Sequence, residues 1–289
     1  MQLRKIAIFP NAEYDKGYFY TKKAVRILAG QGMISYLHED AKAYFDAEGA
    51  ISFFSDIDSM IEKSDAVLVL GGDGTMIHYS VRAAEKNKPA IGINLGHLGF
   101  LMALERTEME GLSALATGDF TVETRMLLDA EVILDGAVLH KQSILNDIVI
   151  ASGVRSKIAE LSLSCQTGGT LAYRADGIIV ATPTGSTAYS FSAGGPIIEP
   201  TANIISVTPL CTHSLLNRSV LLSAETELLV KGRTRDAFTD IHVTMDGKNG
   251  RLFPEQAEIH LRRSPHTAKI IKIGTNRFYD ILETKMNKK

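Results

Sequence analysis

The chain has 289 residues, 45% of them apolar, with 31 basic against 33 acidic side chains and a formal net charge of −2. That length can bury a sizeable core and predicts two domains of about 150 residues each, while the charge balance gives no bulk electrostatic pull toward nucleic acid or an anionic membrane. No apolar run is long enough to span a bilayer, the start Met1–Pro10 has no cleavage signal, and Cys165 and Cys211 form no C-x-x-C pair, so a reducing cytoplasm is the expected location.

Along the first part of the chain, short apolar runs alternate with helical patterns: Ile6–Phe9, then Thr21–Leu28; Met33–Leu37; Val67–Leu70, then Ile77–Ala84; and Ala90–Asn94. This alternation predicts a parallel sheet covered by helices, with ligands gathering at the carboxyl ends of the strands. One such end carries Gly71-Gly72-Asp73-Gly74-Thr75. Glycine lets backbone N–H groups approach an anion, the following helix N-terminus adds partial positive charge, and Thr75 is the expected N-cap. A carboxylate repels phosphate, so Asp73 is better suited to accept a proton from an attacking hydroxyl, the chemistry of phosphoryl transfer to an alcohol. An isolated Gly-Asp-Gly is also an ordinary turn. The motif is neither a Walker loop nor a G-x-G-x-x-G fingerprint, so those mechanisms do not transfer.

Beyond Thr117-Gly118-Asp119 the pattern changes to short β-rich segments: Leu127–Leu134, Ser143–Ala151, Ala159–Cys165, Leu171–Ala181, Ile204–Thr208, Ser219–Val230 and Ile241–Met245. These predict a sandwich-like second domain. The tail adds a strand at Ile270–Ile273 and a helical end near Tyr279–Thr284.

Within the second part, residues 173–198 carry few bulky side chains after their strand, leaving room for something to lie against them. Pro183 and Gly185 set up a turn, Ser186 and Thr187 can cap a helix, and Tyr189 offers a ring for stacking. Asp176 can accept from an amide or sugar hydroxyl, and Arg174 can face a phosphate; the two also fit a same-face surface pair. Asn146-Asp147 interrupts an apolar strand and needs partners, which a ligand or backbone would supply. His78, Asn94, His97, His213 and Asp246 are weaker candidates, and their spacing does not match a zinc site.

Taken together, Gly71–Thr75, Asn94-Leu95-Gly96-His97-Leu98-Gly99-Phe100, Asn146-Asp147, the Thr182–Gly195 run with Thr-Pro-Thr-Gly-Ser-Thr-Ala-Tyr, and Met245-Asp246-Gly247 resemble the ATP-dependent NAD kinases over nearly the whole chain. The resemblance implies a fold of the NAD kinase/diacylglycerol kinase-like kind. An α/β domain (1–117) would be rejoined by the returning tail (268–289), a β-sandwich-like domain (118–267) would bind NAD, and the active site would lie between them. The implied activity is phosphorylation of the adenosine 2′-hydroxyl of NAD by ATP, with polyphosphate left open as donor.

By that resemblance Asp73 is the catalytic base, and Gly71, Gly72, Gly74 and Thr75 form the phosphate turn. Asn146, Asp147, Asp176, Thr184 and Thr187, Ala188, Tyr189, Ser190, Phe191 and Ser192 hold the dinucleotide. Arg174 is a basic binding position, and His78 and Lys157 are variable contacts. Lys248 stands where many relatives carry glutamine, and within the Cys211–Ser214 loop Thr212 replaces a proline common before the equivalent of His213. The implied cofactor is Mg²⁺ or another divalent cation carried with ATP, the protein itself supplying no metal cage. The implied partners are NAD and ATP, without nucleic acid or membrane, in a homo-oligomer, often a tetramer. Two competing readings are a lipid or sugar kinase sharing the glycine turn and a non-catalytic dinucleotide-binding module.

Overall fold

The computed structural model describes residues 3–45, 50–153, 158–213, 217–234, 240–248, 250–274 and 278–287. The chain divides into two compact units, residues 1–124 with 266–289, and residues 125–265.

The first unit is α/β. Its strands are β1 (Lys5–Pro10), β2 (Ile34–His38), β3 (Ile51–Phe54), β4 (Ala66–Gly71), β5 (Pro89–Asn94) and the short β6 (Leu104–Glu105). Its helices are α1 (Phe19–Gly30), α2 (Ile57–Lys63), α3 (Asp73–Glu85) and α4 (Ala114–Thr117). Parallel pairing runs β5-β4-β1-β2-β3, with β6 added beside β5. Strands in such a sheet are covered on both faces and read as continuous apolar runs. Accordingly every residue of β4 and β5 is buried. Leu28 of α1, Leu68 and Leu70 of β4, and Ile91 and Ile93 of β5 share one core.

The second unit is built from antiparallel strands. In chain order these are β7 (Thr121–Leu134), β8 (Ala137–Ile144), β9 (Asp147–Ser152), β10 (Ala159–Cys165), β11 (Thr170–Ala175), β12 (Gly177–Ala181), β13 (Ile204–Leu210), β14 (Val220–Ser223), β15 (Leu228–Thr234), β16 (Ile241–Met245), β17 (Arg251–Phe253) and β18 (Glu258–Lys272). The single-turn helix α5 (Tyr189–Ser192) follows β12, while α6 (Phe278–Asn287), after β18, belongs to the first unit. One sheet has the order β14-β13-β12-β9-β16-β17. Alternate residues of that sheet, Ile148, Ile150, Ile178, Val180, Val207 and Val243, meet Leu161, Leu163, Val230 and Ile259 from β10, β15 and β18 in a second core. Two sheets sharing one core is the sandwich arrangement. Strand β18 begins paired with β15, Leu228 opposite Leu261, and ends in the first unit, where Lys269 and Ile270 pair in parallel with Pro89 and Ala90.

Several expected elements are corrected. Ser143–Ala151 is two strands broken at Leu145-Asn146, Leu171–Ala181 is broken at Asp176, and Ser219–Val230 is broken between Ser223 and Leu228. At each break the chain passes from one sheet to the other, a step set by tertiary pairing that hydropathy does not report. The strands β3 and β17 lay below the length at which alternation is legible, and the first part of β18 was hidden by Glu258, Arg262 and Arg263.

Candidate functional site

In the first unit, β4 ends at Gly71 and α3 begins at Asp73, with Gly72 in extended backbone as its N-cap. Thr75 therefore sits inside the first turn rather than capping it, and its Oγ1 accepts from Asn11 Nδ2 at 2.9 Å. Two amide donors hold the Asp73 carboxylate: Phe100 N–H at 2.9 Å and Leu101 N–H at 3.2 Å. The neighbouring Gly99 permits this approach, since a Cβ there would fall 2.1 Å from Asp73 Oδ1.

Glycines 72 and 74 are different. A Cβ at either would meet nothing within 4 Å, and neither has positive φ. Glycine at Gly74, inside a helix, costs about 0.5–1 kcal/mol relative to alanine, so neither packing nor backbone conformation explains it. The bare face lies over the first turn, where Thr75 N–H bonds the Gly72 carbonyl at 3.0 Å while the N–H groups of Asp73 and Gly74 precede the first helical bond. That face is suited to an anion.

Around this turn, buried Asn94 is structural. Its Nδ2 donates to Glu105 at 3.0 Å and its Oδ1 accepts from Gly96 N–H at 3.0 Å, fixing the chain beyond β5. His78 lies half-buried on α3, edge-on to Tyr79, whose ring stacks on Phe9. His97 is exposed.

The second unit contains a cavity of about 600 Å³. Its floor is the sheet face opposite the core, where the register sets Val149 against Thr244 and Ala151 against His242. Asn146, Asp147, Asp176, Tyr189 and Asp246 add its polar groups and ring. Tyr189 stands at the rim, 49% exposed, as a stacking platform requires.

Two carboxylates meet at this cavity. Asp147 is only 4% exposed, and burial followed by the nearby Asp246 charge raises its pKa to about 7, against the lowering effect of the Tyr189 backbone N–H. Asp246 is also raised by burial. It is held by the N–H groups of Leu145 at 3.0 Å and Asn146 at 2.7 Å, which lower its pKa. Asp246 and Gly247 both have positive φ, and Lys248 N–H closes the turn on Met245 carbonyl at 3.1 Å. Such a turn admits Asp-Gly readily.

The small residues of 182–198 turn out to serve internal packing as well as space. A Cβ at Gly185 would fall 2.1 Å from Asn146 carbonyl. Ser186 Oγ bonds Pro183 carbonyl at 2.7 Å and accepts Ile198 N–H at 3.0 Å, so neither Ser186 nor Thr187 caps α5; Ala188 precedes that helix. Buried Ser190 pairs with Thr208 at 3.2 Å. Thr182 Oγ1 donates to Leu145 carbonyl at 2.5 Å, tying the segment to Asn146-Asp147.

The cavity thus gathers Asn146, Asp147, Asp176, Ala188 and Tyr189. Thr184 and Ser190 are buried, Thr187 is half-buried, and Phe191 and Ser192 are exposed; none of these lines it. Arg174 lies exposed on β11, 3.9 Å from Glu160, and its carbonyl accepts the N–H of His213 and the hydroxyl of Thr212. Lys248 lines a smaller cavity of about 180 Å³ with His140, Arg251 and Phe253. Lys157 and Ser214 lie outside the described residues. Sequence reasoning missed Val149, Ala151, His242 and Thr244; the alternation of His242 and Thr244 with Ile241, Val243 and Met245 was a usable signal, whereas Val149 and Ala151 sit in an unbroken apolar run. It named Gly99 and Phe100 only within a motif and missed that Gly99 and the amides of Phe100 and Leu101 hold Asp73; a backbone donor leaves no residue-type signature.

Residues 24–119 match the model of the ATP-NAD kinase N-terminal domain, and residues 145–273 that of the ATP-NAD kinase C-terminal domain. The sequence is 37% identical over 286 residues to the NAD kinase of Natranaerobius thermophilus, covering 98% of each chain. It is 40% identical over 224 residues to the NAD kinase of Symbiobacterium thermophilum, covering 77% of this chain and 78% of that one. Among solved structures, yeast NADH kinase complexed with NADH superimposes with a TM-score of 0.86 at 21% identity, covering 100% of this chain and 89% of that one. An NAD kinase from Archaeoglobus fulgidus in complex with ATP gives 0.68 at 22% identity, covering 97% and 98%. At such identities the structural likeness speaks for the fold, and it is the sequence matches over nearly the whole chain that show the chain belongs to the ATP-NAD kinase family.

Proposed function

We propose that this chain transfers the terminal phosphoryl group of ATP to the adenosine 2′-hydroxyl of NAD, giving NADP and ADP. The observation that carries the phosphoryl-transfer half is the bare amide face at Gly72 and Gly74, where glycine has no reason in packing or φ. Phosphate oxygens would occupy that face, met by helix-opening N–H groups and the helix dipole. Asp73, oriented by the Phe100 and Leu101 amides, takes the proton of the 2′-hydroxyl as its oxygen bonds to phosphorus and the bond to the β-phosphate oxygen breaks. Catalysis of this kind is mostly positioning and charge neutralisation.

The cavity of the second unit is assigned to NAD. Tyr189 offers a face to the adenine ring, while Asn146, Asp147 and Asp176 present acceptors and an amide to ribose hydroxyls and the carboxamide. Arg174, Lys157, His78, Thr184, Thr187, Ser190, Phe191 and Ser192 are assigned outer or supporting contacts, by motif position alone. Lys248, beside His140 and Arg251, is assigned the weakest contact.

Among the described residues no group of three or more His, Cys, Asp or Glu side chains is placed to hold a metal ion. That donor set fits a Mg²⁺ held chiefly by triphosphate oxygens and water, which needs few protein ligands. When bound with ATP, such a cation offsets the charge of the phosphates.

A homo-oligomer, a tetramer by family resemblance, is part of the same proposal. The edge strands β14 and β17 of the six-stranded sheet expose Leu221 and Leu252, and exposed apolar edges call for cover. None of the described helices is long and apolar enough to cross a membrane, and a cytoplasmic location is proposed from the chemistry of the substrates.

A coupled assay tests the reaction: NADP formed by purified protein from NAD with ATP or polyphosphate, read through an NADP-specific dehydrogenase. Turnover with ATP is expected; no NADP from either donor overturns the reading. The lipid or sugar kinase and the non-catalytic binding module are not favoured, because the full-length relatives are NAD kinases.

A further inference from the structure

Strand β18 ends at Lys272, a residue only 7% exposed. Burying an ammonium is unfavourable unless acceptors surround it. Three successive carbonyls of one loop do so: Phe100 at 3.3 Å, Leu101 at 3.5 Å and Met102 at 3.5 Å from Nζ. The same loop, through the N–H groups of Phe100 and Leu101, holds the Asp73 carboxylate.

One peptide group joins the two charges. The carbonyl of Phe100 and the N–H of Leu101 belong to a single planar amide. Lys272 Nζ donates to its oxygen, and its nitrogen donates to Asp73 Oδ1. Hydrogen bonds in series polarise one another, so an ammonium at one end makes the N–H at the other a better donor to a carboxylate. The neighbouring carbonyls of Leu101 and Met102 keep the loop from rotating about that amide. Helix α6 holds the same loop from another direction: Lys285 Nζ sits 4.0 Å from the centre of the Phe100 ring, and Phe278 tilts against that ring.

We infer that Lys272 is a positioning residue for Asp73, fixing the loop whose amides aim the carboxylate and coupling its own charge to it through the Phe100–Leu101 peptide. The inference rests on the reading of Asp73 as the base. It gives the returning C-terminal segment a role in catalysis that its sequence does not advertise, because the contact runs entirely through backbone.

The test uses the full-length enzyme. Lys272→Met keeps the unbranched stem and removes the charge and donors; Lys272→Gln keeps a neutral donor. The expected result for Lys272→Met is a loss of about 10²-fold in kcat, the scale of a misplaced catalytic group, with KM for NAD unchanged within a factor of about 2. Lys272→Gln should fall between it and the parent. In an Asp73→Asn background Lys272→Met should cause no further loss of single-turnover rate, because there is no carboxylate left to aim. A core-packing role alone predicts the same fractional loss in both backgrounds, and that outcome overturns the inference, as does parental kcat in a folded Lys272→Met. If Lys272→Met does not fold, Lys272→Gln decides alone: unchanged kcat overturns, lowered kcat at constant KM supports. Parental turnover in Asp73→Asn by itself would instead overturn the base assignment, so the two failures are distinguishable.

Discussion

Asp73 and Asp147 are both aspartates at the carboxyl or amino end of a β-strand in a family of phosphotransferases, yet their surroundings are opposite. Asp73 opens a helix, accepts two backbone N–H groups and belongs to a turn contiguous in sequence. Asp147 is buried beside a second carboxylate, and its pKa is pushed up to about 7 by burial and by Asp246. Burial and a like charge favour a carboxyl group that keeps its proton near neutrality, and that is the setting of Asp147. A perturbed pKa in a cleft is a common sign of function. Here the perturbed group faces the cavity proposed for NAD and the proposed base is the other one, a division that would separate holding the substrate from taking its proton.

The largest effect that could break this division is in rate. Asp73→Asn retains shape but not proton acceptance, so a loss of about 10²–10⁴-fold in single-turnover NADP formation is expected, with NAD affinity nearly unchanged. Parental turnover would move the base elsewhere, with Asp147 the next candidate.

Asp147 should show its character in stability. In the folded state it stays protonated up to about pH 7, while in the unfolded chain it ionises near 3.8. The folded state therefore binds the extra proton between those values, and stability falls as pH rises from about 4 to about 7. Above that the penalty is full, bounded at roughly 4 kcal/mol by the gap between the two values. Asp147→Asn removes the titration. Relative to the parent it should be more stable at pH 8 than at pH 5 in urea unfolding. A difference that does not change with pH would contradict the buried, charge-opposed setting.

How much of this was legible in the residues differs between the two units for a physical reason. The strand, turn and helix around Asp73 are consecutive, so glycine content and hydropathy reveal them together. The cavity draws on Asn146, Asp176, Tyr189 and Thr244 from separate strands and turns, and only tertiary register brings them together. Tyr189 and Asp176 were visible as candidates because polar or aromatic residues stand out beside small ones. Val149 and Ala151 were not, since a cavity floor and a core strand look alike in hydropathy. Thr75 and Ser186 were misread as caps, because capping depends on where the helix starts and that boundary shifted by only a few residues.

A smaller change sharpens the geometry at Asp73. Gly99 has no positive φ, so alanine is acceptable to the backbone there, but its Cβ would lie 2.1 Å from Asp73 Oδ1 and 2.7 Å from Cγ. The carboxylate must move. Gly99→Ala is expected to lower kcat by about 10²-fold, as a misplacement near 1 Å does, leaving NAD binding in the other unit unaltered. A weakened NAD affinity with parental kcat would reverse the roles given to the two units.

The smallest effect concerns Tyr189, where the cavity's claim on NAD is most exposed to refutation. Its ring stands half-exposed at the rim and takes part in no ring contact among the described residues, so folding has little use for it. Its backbone N–H, which is bonded to Asp147, survives substitution. Tyr189→Ala should therefore leave the melting temperature within a degree or two while removing the stacking face, worth roughly 1–3 kcal/mol, or about 5- to 150-fold in the dissociation constant for NAD. Tyr189→Phe should restore most of that affinity, because stacking needs the ring and not the hydroxyl. If the alanine variant binds NAD as the parent does, adenine does not rest on this ring; if phenylalanine fails to rescue, the contact is a hydrogen bond from the phenol, and the base must be placed against another wall of the cavity.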